Sequence, residues 1–297
     1  MRFLLTLLSL TLSTITYSAE LHLIVPYAPG GPADIISRAV QSSLNSQNIT
    51  TLVEYRPGAG GAIAFNYIAK FKSDKTVIAL ASNGLTDGPI IDKKETYDLG
   101  KDFILVKHLG IIPNLLVVSN KIKANNFLEL TEQAKLNPVY YGSSGIGSGQ
   151  HILAALVTAK FKNFIHVPYR GGSEALVDLL SGNIDFVIES NMIVDPHIKS
   201  NSLKPLAALN STRLPEYPLV STFKEVGVND YSYERWFAIV ANSTADPAML
   251  NDIQQKLNSL DLTSLGLVPT TLKIDNFLVN QQQQFRQIAK DVNFERN

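Results

Sequence analysis

The chain has 297 residues, 45% hydrophobic and 18% charged, with 26 basic side chains balancing 26 acidic ones and no cysteine. That length buries a large core and suits two domains of ordinary size. Lack of cysteine excludes a disulfide framework, a thiolate metal site and a lipid-bearing cysteine, and the scattered, balanced charges exclude the clustered basic surface that a nucleic-acid partner demands.

The chain opens with Met1-Arg2, a short apolar run from Phe3 to Leu12, and a patch ending Thr16-Tyr17-Ser18-Ala19. This is the pattern of a secretory signal peptide over residues 1–18, with small residues at Thr16 and Ser18 favouring cleavage after Ser18. A span of the hydrocarbon core needs about 20 apolar residues, and this run is about half that. The mature chain is expected free in the periplasm without a membrane anchor. Losing Arg2 leaves it with one formal negative charge in excess.

From Leu21 onward, short β-branched apolar runs alternate with stretches of helical period, the pattern of an α/β fold with mostly parallel sheets flanked by helices. Strands are expected at Leu21–Val25, Thr51–Glu54, Val77–Leu80, Asn114–Val118, Val139–Tyr141, Ile165–Val167, Phe186–Glu189, Pro205–Leu209 and Phe237–Val240. Helices are expected to begin near Ala33, Ala62, Leu128, Gln150, Ser173 and Pro247. The polar stretch Asn120–Asn126 reads as a crossover into a second lobe, and the return lies near Tyr231–Arg235. Lobe 1 is then 19–118 plus 236–297, and lobe 2 is 119–235. Gln281–Gln284 form the polar side of a final amphipathic helix whose apolar face holds Phe277, Phe285 and Ile288.

Three glycine-rich turns each join a strand to a helix: Val25 to Pro32, Tyr55 to Gly61, and Tyr141 to Gly149. Ligands of open α/β sheets bind at the carboxyl ends of strands, where such turns lie. Glycine admits close approach of backbone, and the first N–H groups of the following helix are free to point at an anion. Two such helix starts facing each other can grip two carboxylates. Four hydrogen bonds to charged groups supply roughly 6–12 kcal/mol gross, against about 8 kcal/mol for a micromolar complex, so no cationic side chain is required. The middle turn, around Gly58, is expected to be structural. A fourth turn, Val167 to Ser173, echoes the Val-Pro-Tyr start and paired glycines of the first, so two lobes are expected to present similar edges to a cleft. Asp34, in the first turn of its helix, is expected to hold loop N–H groups. Ser82 and Asn83, at the end of the third strand, share the geometry of a cleft rim.

The segments Ile24 to Asp34, Glu54 to Gly61, Tyr97-Asp98 with Lys101-Asp102-Phe103, Tyr141 to His151, and His166 to Asp185 together resemble the extracytoplasmic solute receptors of tripartite tricarboxylate transporters, the Bug or TctC-like family. The resemblance runs in order from about Leu21 to Pro247. It implies a two-lobed periplasmic binding protein of type II-like fold that works as a monomer, encloses a small organic anion in the cleft between lobes and delivers it to membrane permease subunits, with no cofactor and no catalysis. Carboxylates are then held mainly by backbone of the first glycine turn and of Ser143–Gly149. Matched positions carried over as cleft residues are Tyr27, Gly30, Gly31, Asp34, Ser143, Ser144, Gly145, His151, Tyr169, Gly171 and Asn191. The chain departs from the family at Leu214 to Thr222 and at Arg235, beside the sole tryptophan. Arg235 either adds a cation to the cleft or faces water, and His151 either donates to a carboxylate or packs.

Two rival functions stand beside capture for transport. A secreted α/β enzyme finds little support: Gly145 to Gly149 does not fit a dinucleotide fingerprint, Ile146 stands where a serine-hydrolase elbow needs glycine, and the five histidines have no metal-ligand spacing. A ligand-dependent sensor subunit for a signalling kinase uses the same lobe closure as a transport receptor, and the neighbouring genes tell the two apart.

Overall fold

The computed structural model describes residues 20–71, 76–91, 96–210, 212–228, 233–269 and 276–291. The signal peptide over residues 1–18 lies outside the described residues, as do Tyr231 and Ser232 of the expected return crossover. The first lobe is built from β1 (Leu21–Val25), α1 (Pro32–Ser46), β2 (Thr51–Tyr55), α2 (Ala62–Lys70), β3 (Thr76–Ser82), α3 (Asn83–Ile91) and β4 (Phe103–Ile112). The second holds β5 (Asn114–Ser119), α4 (Phe127–Leu136), β6 (Val139–Ser143), α5 (Gly149–Thr158), β7 (Phe164–Pro168), α6 (Gly172–Ser181), β8 (Phe186–Ser190), α7 (Asn191–Lys199) and β9 (Leu203–Ala208). The chain then returns as β10 (Arg235–Asn242), α8 (Pro247–Leu257) and α9 (Phe277–Asp291).

Each lobe carries a five-stranded sheet, in the orders β2-β1-β3-β10-β4 and β7-β6-β8-β5-β9. In each, one strand opposes the rest: β10 runs antiparallel to β3 and β4, and β5 antiparallel to β8 and β9. Topology is the reason. The lobes face each other with the carboxyl ends of their parallel strands at the cleft, so a chain arriving from the opposite lobe enters at the cleft and runs away from it.

The crossover falls at Pro113, between β4 and β5, rather than at Asn120–Asn126. That polar stretch instead leads from β5 to α4, where Asn126 caps the helix by accepting from the Glu129 N–H at 2.9 Å. Residues 114–118, assigned by sequence to lobe 1, therefore pair in the second sheet, and Arg235, assigned to lobe 2, opens β10 in the first.

Both sheets are buried on both faces, which explains their near-continuous apolar strands. Leu21, Leu23 and Val25 face one core, with Phe237 and Ile239, while Ile24 faces the other, with Trp236, Ala238 and Val240. In the second lobe Leu116 and Val118 pack opposite to Leu115 and Val117. A smaller cluster spans the lobes, joining Ile90 of α3 to Ile152 and Leu156 of α5 and to Phe285 and Ile288 of α9. Among the described residues no helix is long and apolar enough to cross a membrane.

Candidate functional site

The lobes close on each other over a narrow pocket lined from both of them. Its walls come from the β1–α1 turn, the β3–α3 junction, the starts of α5 and α6, Glu189 at the end of β8, and Arg235 and Phe237 of β10. The sequence places these groups together because the parallel strands of both sheets end at this level.

Helices α1 and α6 both begin on glycine caps, Gly31 and Gly171, that offer no side-chain acceptor to the first N–H groups. The two starts face each other. Ser173 Oγ donates to the Pro29 carbonyl at 2.8 Å, and the Ala28 N–H donates to the Arg170 carbonyl at 3.3 Å. A methyl group added at Gly171 would lie 2.9 Å from Ala28 Cβ. The echoed Val-Pro-Tyr turns thus meet across the cleft, one from each lobe, with the positive ends of two helix dipoles directed into it.

A chain of polar groups crosses the cavity. Arg235 Nη1 donates to Asn114 Oδ1 at 2.6 Å and to Glu189 Oε1 at 3.3 Å, so a cation of the first sheet pairs with an anion of the second. Glu189 Oε1 also accepts the Ser190 N–H at 2.7 Å, and Oε2 accepts from Gln150 Nε2. Gln150 Oε1 in turn accepts the Ser144 N–H at 2.9 Å. On the opposite wall Tyr27 Oη meets Ser82 Oγ at 2.8 Å and the Gly60 carbonyl at 3.2 Å; burial raises the Tyr27 phenol above its ordinary range and keeps it a neutral donor. Asn83 spans the β10 start, donating to the Glu234 carbonyl at 3.0 Å and accepting the Trp236 N–H at 3.1 Å.

Of the residues singled out from sequence, Tyr27, Gly31, Ser82, Asn83 and Ser144 line the cavity. The others, Gly145 among them, are not among its lining residues. Gly30 supports the turn with φ +88° and its N–H on Asp34 Oδ2 at 2.8 Å. Burial raises the Asp34 pKa, but Tyr55, this N–H and Arg38 outweigh burial and hold it below the usual range, so Asp34 braces the loop without reaching the cavity. Ser143 Oγ is hydrogen-bonded to His166 Nε2 at 2.6 Å, and the His151 ring stacks on His166 with centroids 4.1 Å apart while its Nδ1 accepts the Gly147 N–H. Tyr169 donates to Asp178 Oδ2 at 2.7 Å outside the cavity, Asn191 lies 3.5 Å from the position of an added Gly266 Cβ, and Gly171 is the α6 cap. The Ser143–Gly149 turn is largely satisfied within itself, and the start of α6 takes the place opposite α1.

Four lining residues carry the chemistry that sequence reasoning missed or left open: Gln150, Gly172, Glu189 and Arg235. Arg235 does not face water; it is 8% exposed and sits at the cavity. Glu189 gave no signal because it ends an otherwise apolar strand, with its partner 46 positions away.

The middle glycine turn has a closure role. Gly60, at φ +62°, packs so tightly on the second lobe that an added Cβ would lie 2.1 Å from the Ile146 carbonyl oxygen, and one at Gly145 would lie 2.7 Å from Gly60 N. Gly60→Ala is therefore expected to hold the lobes apart and weaken solute affinity about tenfold or more through the lost closed population, read by calorimetry together with small-angle scattering. Unchanged affinity and a closed scattering profile would show that the contact is dispensable.

Among the described residues no cluster of three or more His, Asp or Glu side chains is placed to hold a metal ion. Residues 36–297 match the family model described as tripartite tricarboxylate transporter family receptor. Protein BugT of Bordetella pertussis is 32% identical over 250 residues, covering 82% of this chain and 77% of the relative. The periplasmic binding protein BugD superposes with a TM-score of 0.85 at 24% identity, covering 93% of this chain and 98% of that one. An R. palustris protein solved with adipate gives 0.84 at 23% identity over 93% and 98%. MatC of Rhodopseudomonas palustris, with bound malate, gives 0.82 at 22% over 92% and 98%.

Proposed function

This chain belongs to the tripartite tricarboxylate transporter receptor family, and from that premise we propose that it captures a small carboxylate in the periplasm and presents it to membrane permease subunits. The observation that carries the reading is the closed interlobe cavity into which two glycine-capped helix starts and a buried arginine converge. Each supplies N–H donors and positive potential to an anion in a low-dielectric space, where hydrogen bonds to charge are strongest. Malate is bound in MatC and adipate in the R. palustris relative, so the same fold encloses small acids elsewhere.

Binding rather than catalysis is the output. The contact of the Ser143 hydroxyl with the His166 ring lies off the cavity lining, and burial with the adjacent His151 pushes the His166 pKa down to about 3. An imidazole so weakly basic is a poor general base near neutral pH. The chain acts as a monomer, released after removal of residues 1–18, with lobes 19–113 plus 235–297 and 114–234. A solute touching both lobes stabilises the closed form by its differential affinity, and that form docks on the permease.

Thermal unfolding of the mature chain, stripped of co-purified solute, against mono-, di- and tricarboxylates and neutral controls tests the reading. A ligand at 100 times its dissociation constant adds about 2.7 kcal/mol, a shift of roughly 5–10 °C for a chain of this size. A response confined to acids supports carboxylate capture; a flat response to every acid removes it.

A further inference from the structure

The cleft holds a buried pair of opposite charges, and this sets the kind of carboxylate that fits. Arg235 and Glu189 are 8% and 1% exposed, and both line the cavity. They come from opposite lobes, so they meet where the solute is enclosed. Both Nη1 protons of Arg235 are spent, on Asn114 and on Glu189, which leaves the Nε–Nη2 edge of the guanidinium. That edge has the fork geometry that grips a carboxylate with two parallel hydrogen bonds. The stem of Arg235 runs against Gly149, where an added Cβ would lie 3.2 Å from its Cγ, so the side chain is fixed in place by packing.

Glu189 has a complementary vacancy. Its Oε1 is filled by the Ser190 N–H and Arg235, while among the described residues Oε2 accepts only from Gln150; it faces Gly172 at the start of α6, where an added Cβ would lie 2.3 Å away. A carboxylate has about four acceptor sites, so Oε2 keeps one for a further donor. A plain dianion enclosed here meets one cation that Glu189 already neutralises, and a second anion that repels it. A solute carrying a protonated amine beside its carboxylate meets an acceptor for each half.

We propose that this cleft selects an amine-bearing carboxylate of the α-amino acid type, its carboxylate held by Arg235 with the α1 and α6 starts and its ammonium received by Glu189 Oε2. The inference rests on the proposed carboxylate capture and narrows its substrate class. Glu189 and Arg235 are specificity residues, and Gln150 is a positioning residue that orients Glu189.

The test is calorimetric titration of the stripped mature chain with the common amino acids and with their des-amino counterparts, among them aspartate against succinate and glutamate against glutarate, with malate and adipate alongside. At least one amino acid is expected to bind tenfold or more tightly than its des-amino partner. Glu189→Gln, which keeps the shape, is expected to erase that preference, and Glu189→Asp, which keeps the charge, to retain part of it. Thermal unfolding of both unliganded variants checks that they fold. If des-amino acids bind as tightly as their amino partners, or the preference survives Glu189→Gln in a folded protein, the inference is overturned while carboxylate capture stands. If no amino acid binds but diacids do, the result is the same; if no acid of either kind binds, both readings fall.

Discussion

Gly31→Asp is expected to abolish solute binding while making the unliganded protein more stable. Gly31 is the N-cap of α1 with φ −94° and ψ −179°, a conformation open to any residue, and an added Cβ meets nothing nearer than the Ser173 N at 4.0 Å. The substitution therefore folds without strain. Aspartate is among the strongest N-caps, gaining a few tenths of a kcal/mol over glycine, and its charge beside the helix dipole contributes about 0.3–1 kcal/mol more. The new carboxylate occupies the N–H groups of α1 and lies beside the start of α6, as a tethered anion where the solute's own carboxylate belongs. Affinity is expected to fall at least about 100-fold, the loss of two charge-assisted hydrogen bonds and the gain of a like charge. Calorimetry with whichever acid stabilises the wild type, paired with thermal unfolding of the unliganded variant, reads both halves. Binding that survives within tenfold would place the solute away from the first glycine turn.

Gly31 was legible because its signal is local: a β-strand, a Gly-Gly-Pro turn and a helical period adjoin in one stretch of chain. The same holds for most of the fold. Strands such as Leu21–Val25 and Asn114–Ser119 are apolar on both faces and stand out as runs. What escaped was non-local or locally contradictory. β4 hid because its exposure follows no alternation and its pairing with β10 slips twice, with Gly110 at φ +142°. Helices α3 and α7 were concealed by Pro89, Gly84 and Gly88 in one and Pro196 in the other, residues that oppose helix in isolation and are tolerated here by tertiary packing. With β4 unseen, the crossover slid to the nearest polar stretch. The site divides in the same way: backbone donors announce themselves as glycine turns, whereas Glu189 and Arg235 acquire meaning only when two sheets bring them together.

Acid is expected to destabilise the protein before its ordinary carboxylates protonate, because His151 is buried and His108 and His166 are half-buried in settings that disfavour their charged form. Burial pushes His108 down to about 4, helped by Lys107, and likewise His151 to about 4; burial and the adjacent His151 push His166 to about 3. Both ring nitrogens of His108 lack a hydrogen-bond partner among the described residues, and the ring packs edge-on against Phe277 at 4.9 Å. In the unfolded chain each imidazole titrates near its ordinary value of about 6.5. The stability they provide is thus complete above that pH and is lost as pH falls toward 4, since the unfolded state takes up the protons first. Asp87 acts in the opposite sense. Burial raises its carboxyl to about 7 despite hydrogen bonds from Tyr233 and Thr86, so its contribution is complete below the ordinary aspartate range and is lost as pH rises toward 7. Glu234, raised by burial, opposes the histidines too. The net uptake on unfolding is one to two protons, about 1.4–2.7 kcal/mol per pH unit. Between pH 6.5 and pH 4.5 the unfolding midpoint should then fall by roughly 10 °C. His108→Leu removes one uptake and an unsatisfied ring together, so it should flatten that slope by about one proton while raising the midpoint at pH 5. A slope unchanged in the variant would mean that His108 reaches a hydrogen-bonding partner in solution and titrates as it does in the unfolded chain.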